Sequence, residues 1–572
     1  MVHSRPRCTV LPPLSETQSY SSPLTHPPMH TSALGYWYGE EISTTGNSDA
    51  PHVLYALETP VYAVASGPNP RLVSHGHAVL GNAKADAPGA LPLLGYAPPL
   101  PITQLGDPAF ARAYNAKYAY MTGSMANGIA STDLVVAGTR AGLVSSYGAA
   151  GQTPDVVSRA IDRLDEALGP GGYCVNLIHS PAEPAIEQSL VDLFLARGVC
   201  RVEASAYLGL TAPVVQYRAA GAYRSTDGTV RSRNTLIAKA SRIEVASHWL
   251  NPPPAKFLDA LVAQGKLSRE QALLSAELPM ADDLTAEADS GGHTDNRPAL
   301  TLAPIFIALR DRLQRDLPGA QRTRIGLGGG IATPASVAAA FAMGAAYIVT
   351  GTINQACVEA GTSALVRDML AEAGQADTAM APAADMFEMG VKLQVLKRGT
   401  LFAMRANRLW EIYRTHPSLE ALDETTRASL EKDLFRAPLS TIWAETAAFF
   451  RLRNAELVAR AEADPKLRMA LVFRWYLGLS SRWANEGDGS RRADFQVWCG
   501  PAMGAFNEWA SGSPLATPAN RTVGTIAITL LEGASVILRA QTLARCGVSL
   551  PDACMHPAPF AVTPASLHAR PG

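Results

Sequence analysis

Between Tyr118 and about residue 375 the chain alternates short apolar runs with longer amphipathic stretches, and this alternation limits its architecture more than any other feature. The apolar runs are Tyr118–Met121, Gly142–Ser146, Tyr173–Leu177, Arg201–Ala204, Thr235–Lys239, Leu284–Ala288, Arg324–Leu327 and Tyr347–Thr350. Helical patterns follow nearly all of them, as at Thr132–Ala141, Pro154–Leu168, Glu183–Arg197, Pro304–Arg315 and Pro334–Met343. Repeated strand–helix units predict a parallel sheet. Eight units over about 260 residues match the size of a (β/α)8 TIM barrel.

The flanks read differently. Residues 1–50 are rich in Ser, Pro and Thr and predict a disordered leader; prolines break up its start, so it lacks the apolar core of a signal peptide. Residues 51–105 hold short apolar stretches between Gly, Pro and Asn, the pattern of a small β-rich module. The barrel is expected over 106–375, with an insertion at 251–280 after the fifth strand. Ser268 and Gln271 form a capping-box pattern there, and the inserted helix is either a lid at the strand-end face or a surface elaboration. Helical patterns dominate 376–550, and 551–572 reads as a flexible tail.

Composition narrows the function classes. With 49 Lys plus Arg against 50 Asp plus Glu, the chain has no general field to draw nucleic acid or an anionic membrane. Its seven cysteines show no metal-binding spacing, and they predict reduced thiols of a cytoplasmic protein. From Ile325 to Val358 no Asp, Glu, Lys or Arg occurs, yet glycines and Pro334 interrupt that run. A soluble explanation is needed for it, because uncharged runs of this length otherwise suggest a membrane span.

A barrel carries its site at the C-terminal ends of its strands. The first strand leads into Thr122-Gly123-Ser124-Met125-Ala126-Asn127-Gly128, whose small residues admit a flat ligand. Asn176 closes the third strand and Lys239 the fifth, and Glu287-Ala288-Asp289-Ser290-Gly291-Gly292-His293-Thr294-Asp295 follows the sixth. Gly329 and Gly330 lie after the seventh strand, and Gly351 and Thr352 after the eighth. Glycine turns at those two places expose backbone N–H groups to a phosphate, which explains the uncharged run. His293, bracketed by Asp289 and Asp295, offers a proton donor near neutral pH. Lys239, at a buried strand end, requires an anionic or polar partner and reads either as a site residue or as half of a structural salt bridge.

These segments, with Leu396-Lys397-Arg398-Gly399-Thr400 and Phe402-Ala403-Met404-Arg405-Ala406-Asn407, resemble the trans-acting enoyl reductases of bacterial polyketide and polyunsaturated fatty acid synthases. That group lies within the 2-nitropropane dioxygenase-like, or nitronate monooxygenase-like, flavoproteins. The resemblance implies an FMN-containing barrel that reduces the α,β double bond of an enoyl thioester on an acyl carrier protein, with NADPH as reductant. By position it implies that Met125, Ala126 and Asn127 contact the flavin ring, Asn176 its pyrimidine edge, and Lys239 the charge of the reduced flavin. Ser290, Gly291 and Gly292 fall in the motif beside the cofactor. Gly329, Gly330, Gly351 and Thr352 would hold the phosphate, and His293 would protonate the α-carbon or orient the thioester carbonyl. Ser124 stands where the family more often has Ala, and the chain has no G-x-S-x-G elbow, so transacylase activity is not expected. Lys392, Lys397, Arg398, Arg405 and Arg408 are either a docking patch for an acidic carrier or a solvated helix face. A homodimer is left open. Two rivals stand beside the reductase: a nitronate monooxygenase using His293 as base, and an idle scaffold that only binds carrier protein.

Overall fold

The computed structural model describes residues 33–40, 50–67, 69–81, 89–179, 184–315, 317, 322–451 and 454–559. All eight expected strands are present, displaced by at most two residues at their ends: Tyr120–Thr122, Val144–Tyr147, Cys174–Ile178, Arg201–Ser205, Thr235–Ala240, Asp283–Glu287, Arg324–Gly328 and Ile348–Thr350. They pair in parallel, each with its chain neighbour, and the eighth pairs with the first to close the barrel. At the N-terminal end, Arg324 is bound side-on to the buried Asp283 at 2.6 and 2.7 Å, and the Tyr114 hydroxyl adds a third bond to that carboxylate at 2.6 Å. A paired, hydrogen-bonded charge of this kind closes the floor without leaving an orphan ion.

The N-terminal module is a five-stranded antiparallel sheet, and its strand Gly35–Tyr38 lies inside the stretch expected to be leader. The reason is local. Trp37 is 1% exposed and packs in a small core with Tyr62, Val64, Val73 and Leu93, enough apolar area to order its strand. The rest of that leader, 1–32 and 41–49, lies outside the described residues. Buried Arg539 ties the module to the helix Val523–Arg545, donating to the carbonyls of Leu54, Ala56 and Thr59 at 2.6, 3.1 and 2.6 Å. That helix is long and apolar enough to cross a membrane by length and composition, but its apolar window is 89% buried within the fold.

One open alternative is decided and two further expectations are corrected. The insertion does form two helices, Ala255–Ala263 and Arg269–Ser275, and the Ser268–Gln271 capping box is present at 3.0 and 2.9 Å. It is not a lid, however. It follows the helix Ile243–Leu250 on the return path to the sixth strand, and Gln271 binds the Ala220 carbonyl there, away from the strand-end face. The region 376–550 is not wholly helical: strands Thr378–Pro382 and Lys392–Leu396 join Gly292–His293 in a three-stranded antiparallel sheet. Lys392–Leu396 is buried from Leu393 onward, and so lacks the alternation by which a half-exposed strand is read. Finally, the expected tail begins with an ordered helix, Asp552–Met555, whose Cys554 is buried beside Ala540 and Leu543.

The rest of the C-terminal region is a helical cap. Its helices Phe402–Thr415, Leu439–Arg451 and Pro465–Glu486 pack around Phe473, Tyr476 and Leu477. Fully buried Asp494 is its polar hub. It accepts from Arg405, from the Tyr476 hydroxyl at 2.8 Å, from Arg491 at 3.2 Å and from Arg436 at 3.4 Å.

Candidate active site

The strand ends and the cap enclose a cavity of about 1710 Å³. Pockets for a single small ligand are about 300–1,000 Å³, so this one has room for a second molecule. Every residue expected at the site lines it: Met125, Ala126, Asn127, Asn176, Lys239, Ser290, Gly291, Gly292, His293, Gly329, Gly330, Gly351 and Thr352. No residue of 251–280 does. One wall comes from the cap and was not expected, with Phe450, Trp475, Leu477 and Ser481 on it and Trp498 beside them.

The glycine corner is built for a close ligand. Gly329 has φ +89°, and a Cβ there would stand 2.6 Å from the Ala288 carbonyl carbon. Gly330 has φ +74°, with nothing within 4 Å of its Cβ position. Both facts favour glycine, one for conformation and contact, the other for conformation alone. The helix Pro334–Ala342, capped by Thr333, then starts from this corner. Gly291 closes the other side, since a Cβ would meet Cys499 N, Gly500 N and the Thr352 hydroxyl at 3.0 Å each. Nearby, the Ser290 hydroxyl is buried with no hydrogen-bond partner among the described residues.

On the adjacent wall the Asn176 amide donates to the Glu203 carbonyl at 3.0 Å and the Ser205 hydroxyl at 2.9 Å, which leaves its oxygen as acceptor. Lys239 lies 2.7 Å from fully buried Glu203 and 3.9 Å from Glu287. Burial works against its charge, but these two carboxylates outweigh burial and raise its pKa. Lys239 is therefore both a cavity residue and half of an ion pair, not a free cation. Glu203 also accepts from the Ser124 backbone N–H at 2.8 Å. This explains why serine serves at position 124: the loop uses that residue's backbone. Asn127 sits in the left-handed region at φ +57° and donates to Ser481 of the cap at 3.1 Å.

His293 owes its position to the unexpected sheet. It pairs with Leu393, and its Nε2 lies 3.2 Å from Asp385 Oδ1. Burial alone would lower the imidazole pKa; the bond to Asp385, with the charges of Asp385 and Glu287, raises it above the ordinary value. Gln394 holds the preceding turn, donating to Asp289 at 2.9 Å and to the Ser290 carbonyl at 3.2 Å. Asp295 turns away, accepting from Arg242 at 2.7 and 2.8 Å and from Ser241, with its pKa pulled down to about 2. Asp385 and Gln394 have no signal in the sequence; Glu203 has one, a lone carboxylate inside an apolar strand. The five basic residues between 392 and 408 do not form one patch. Arg405 points inward to Asp494, Arg398 faces Asp377 at 3.5 Å, and Arg408 binds Ser429 at 3.1 Å.

Known proteins share this fold. The fold superposes on the enoyl reductase domain of MlnA, from the macrolactin biosynthesis cluster of Bacillus amyloliquefaciens, with a TM-score of 0.74 and 38% sequence identity. The match covers 78% of this chain and 100% of that one. The chain belongs to the same family as this enoyl reductase domain. Beside this enoyl reductase domain, it is 48% identical over 452 residues to a polyunsaturated fatty acid synthase component of Thraustochytrium sp., covering 78% of this chain and 30% of the relative. It is 42% identical over 435 residues to the polyketide biosynthesis protein PksE of Bacillus subtilis, covering 76% and 56%. The chain thus spans between about a third and about half of those relatives' length. Residues 416–495, the heart of the cap, match the inserted helical domain of acyl-carrier-protein S-malonyltransferase. In this chain that helical unit supplies Trp475 and Ser481 to the cavity.

Proposed function

We propose that the protein is an FMN-dependent enoyl reductase acting in trans on enoyl thioesters of an acyl carrier protein, with NADPH as reductant, in polyketide or polyunsaturated fatty acid synthesis. One observation carries the reading: the glycine corner, the Asn176–Lys239 wall and the His293–Asp385 pair all open into one cavity. The residues suit FMN. Gly329, Gly330, Gly351 and Thr352 would hold its phosphate, the Ser290 hydroxyl is open to a ligand, and Met125, Ala126, Asn127 and Asn176 would border its ring. FMN held by these residues would supply two-electron, hydride-level redox chemistry between NADPH and the enoyl double bond.

His293 would supply the proton that completes the product at the α-carbon. With Nε2 on Asp385, its Nδ1 faces no other partner among the described residues and is the nitrogen left to donate. Asp385 favours the charged imidazole, which suits an acid. Nitronate oxidation would need the same imidazole as a base, and Asp385 works against that assignment. The deciding assay combines protein, FMN, NADPH and a carrier-bound enoyl thioester, read by intact mass. A gain of two hydrogens is expected; no gain, with dioxygen-dependent nitronate turnover, rejects the reading.

Two further results are expected. Asp385→Asn should move the alkaline limb of the pH–rate profile down, because a raised pKa keeps the acid protonated to higher pH and the rate falls as pH passes it. An unmoved limb would detach Asp385 from the proton donor. Gly329→Val should yield colourless protein with unchanged far-ultraviolet circular dichroism, since the side chain would fill the corner and strain a positive φ. Full flavin absorbance in that variant would place the phosphate elsewhere.

A further inference from the structure

A second imidazole lines the same cavity on the far side from the glycine corner, for the barrel order sets strands three and four across the ring from strands seven and eight. His179 follows the third strand, with its Nδ1 3.1 Å from Glu187 Oε2 and its ring stacked on Tyr207 at a centroid distance of 5.3 Å. Glu187, on the helix Pro184–Arg197, is 2% exposed. Its other oxygen accepts from the Tyr207 hydroxyl at 2.9 Å and from the Thr211 hydroxyl. A carboxylate that accepts from three side chains is fixed in place, and it orients an imidazole with Nδ1–H toward it. That leaves Nε2, which has no hydrogen-bond partner among the described residues, as a lone-pair acceptor at the cavity wall.

We propose that His179 is a positioning residue whose Nε2 accepts a hydrogen bond from an amide N–H of a reactant bound in the cavity, with Glu187 holding the ring for that purpose. This rests on the reading that the cavity admits a nicotinamide reductant and a pantetheine-linked thioester. The thioester carbonyl and the phosphates offer only acceptors; apart from the ribose hydroxyls of the reductant, the donors these reactants bring near their reacting ends are amides. One is the nicotinamide carboxamide, and the others lie along the pantetheine arm.

The test uses the flavin-loaded full chain and two substitutions. Asn at 179 keeps a donor for Glu187 but removes the cavity acceptor, whereas Gln carries an amide oxygen out to where Nε2 stands. His179→Asn is expected to raise one KM roughly tenfold with kcat little changed, the scale of one lost hydrogen bond, and His179→Gln to recover most of it. Two arms identify the source. Flavin reduction by NADPH without acyl substrate reads the carboxamide; turnover of an enoyl pantetheine thioester against an enoyl methyl thioester, which has no amide, reads the arm. His179→Asn leaving both arms unchanged would overturn the inference, as would His179→Asn outperforming His179→Gln. A wild-type protein that reduces no enoyl thioester would overturn the proposed function, and the reductant arm alone would then decide the role of His179.

Discussion

Replacing His293 by alanine should slow reduction of a carrier-bound enoyl thioester by roughly 10²-fold or more, the scale of general acid catalysis, while the purified protein stays yellow. The side chain is 32% exposed and meets its partner, Asp385, at the cavity surface, so its loss opens no core. The backbone of Gly292–His293 stays paired with Lys392–Leu396 whatever the side chain. Flavin reduction by NADPH should therefore proceed at the wild-type rate, and only the step that needs a proton at carbon should fail. Stopped-flow measurement of the two half-reactions separates these. Equal loss in both would make His293 a binding group, and undiminished turnover would remove it from the mechanism.

The largest effect on stability is expected from Asp494→Ala. This carboxylate is fully buried and serves three arginines and a tyrosine, and its removal strands Arg405 and Arg491, whose side chains are only 15% and 12% exposed. Breaking a buried ion network from one side costs about 3–5 kcal/mol. Urea unfolding should show that loss, and Asp494→Asn, which still offers an acceptor, should lose less. The site should feel it too, because the helix Pro465–Glu486 that carries Tyr476 also carries Trp475 and Ser481 into the cavity. An unchanged urea midpoint would show that the apolar contacts of Phe473 and Leu477 hold the cap without its polar hub.

The barrel is legible in the sequence because its signal is periodic and local: each strand is a short apolar run beside an amphipathic helix. The glycine corner is legible for a related reason, since Gly329, Gly330 and Gly291 sit in loops that follow those strands directly, and His293 comes two residues after Gly291. Asp385 and Gln394 reach His293 and Ser290 across some hundred residues of chain, and nothing local to them announces a partner. The strand Lys392–Leu396 hides within a helical pattern because nearly all of it is buried, and the leader conceals Trp37 because the four residues Gly35–Tyr38 are too short a run to show a period. The insertion is helical as its pattern predicts but lies elsewhere than a lid would, because a capping box reports where a helix starts and not which end of the barrel it covers.

Gly533 lies against the ring of Pro334, where an added Cβ would come within 2.6 Å. Pro334 opens the helix that begins at the glycine corner, so that corner is buttressed by a helix made much later in the chain. On the ribosome, the barrel strands emerge long before this support does. On the proposed reading, a flavin at that corner would find its finished seat only once residues 523–545 have been made and packed on Pro334.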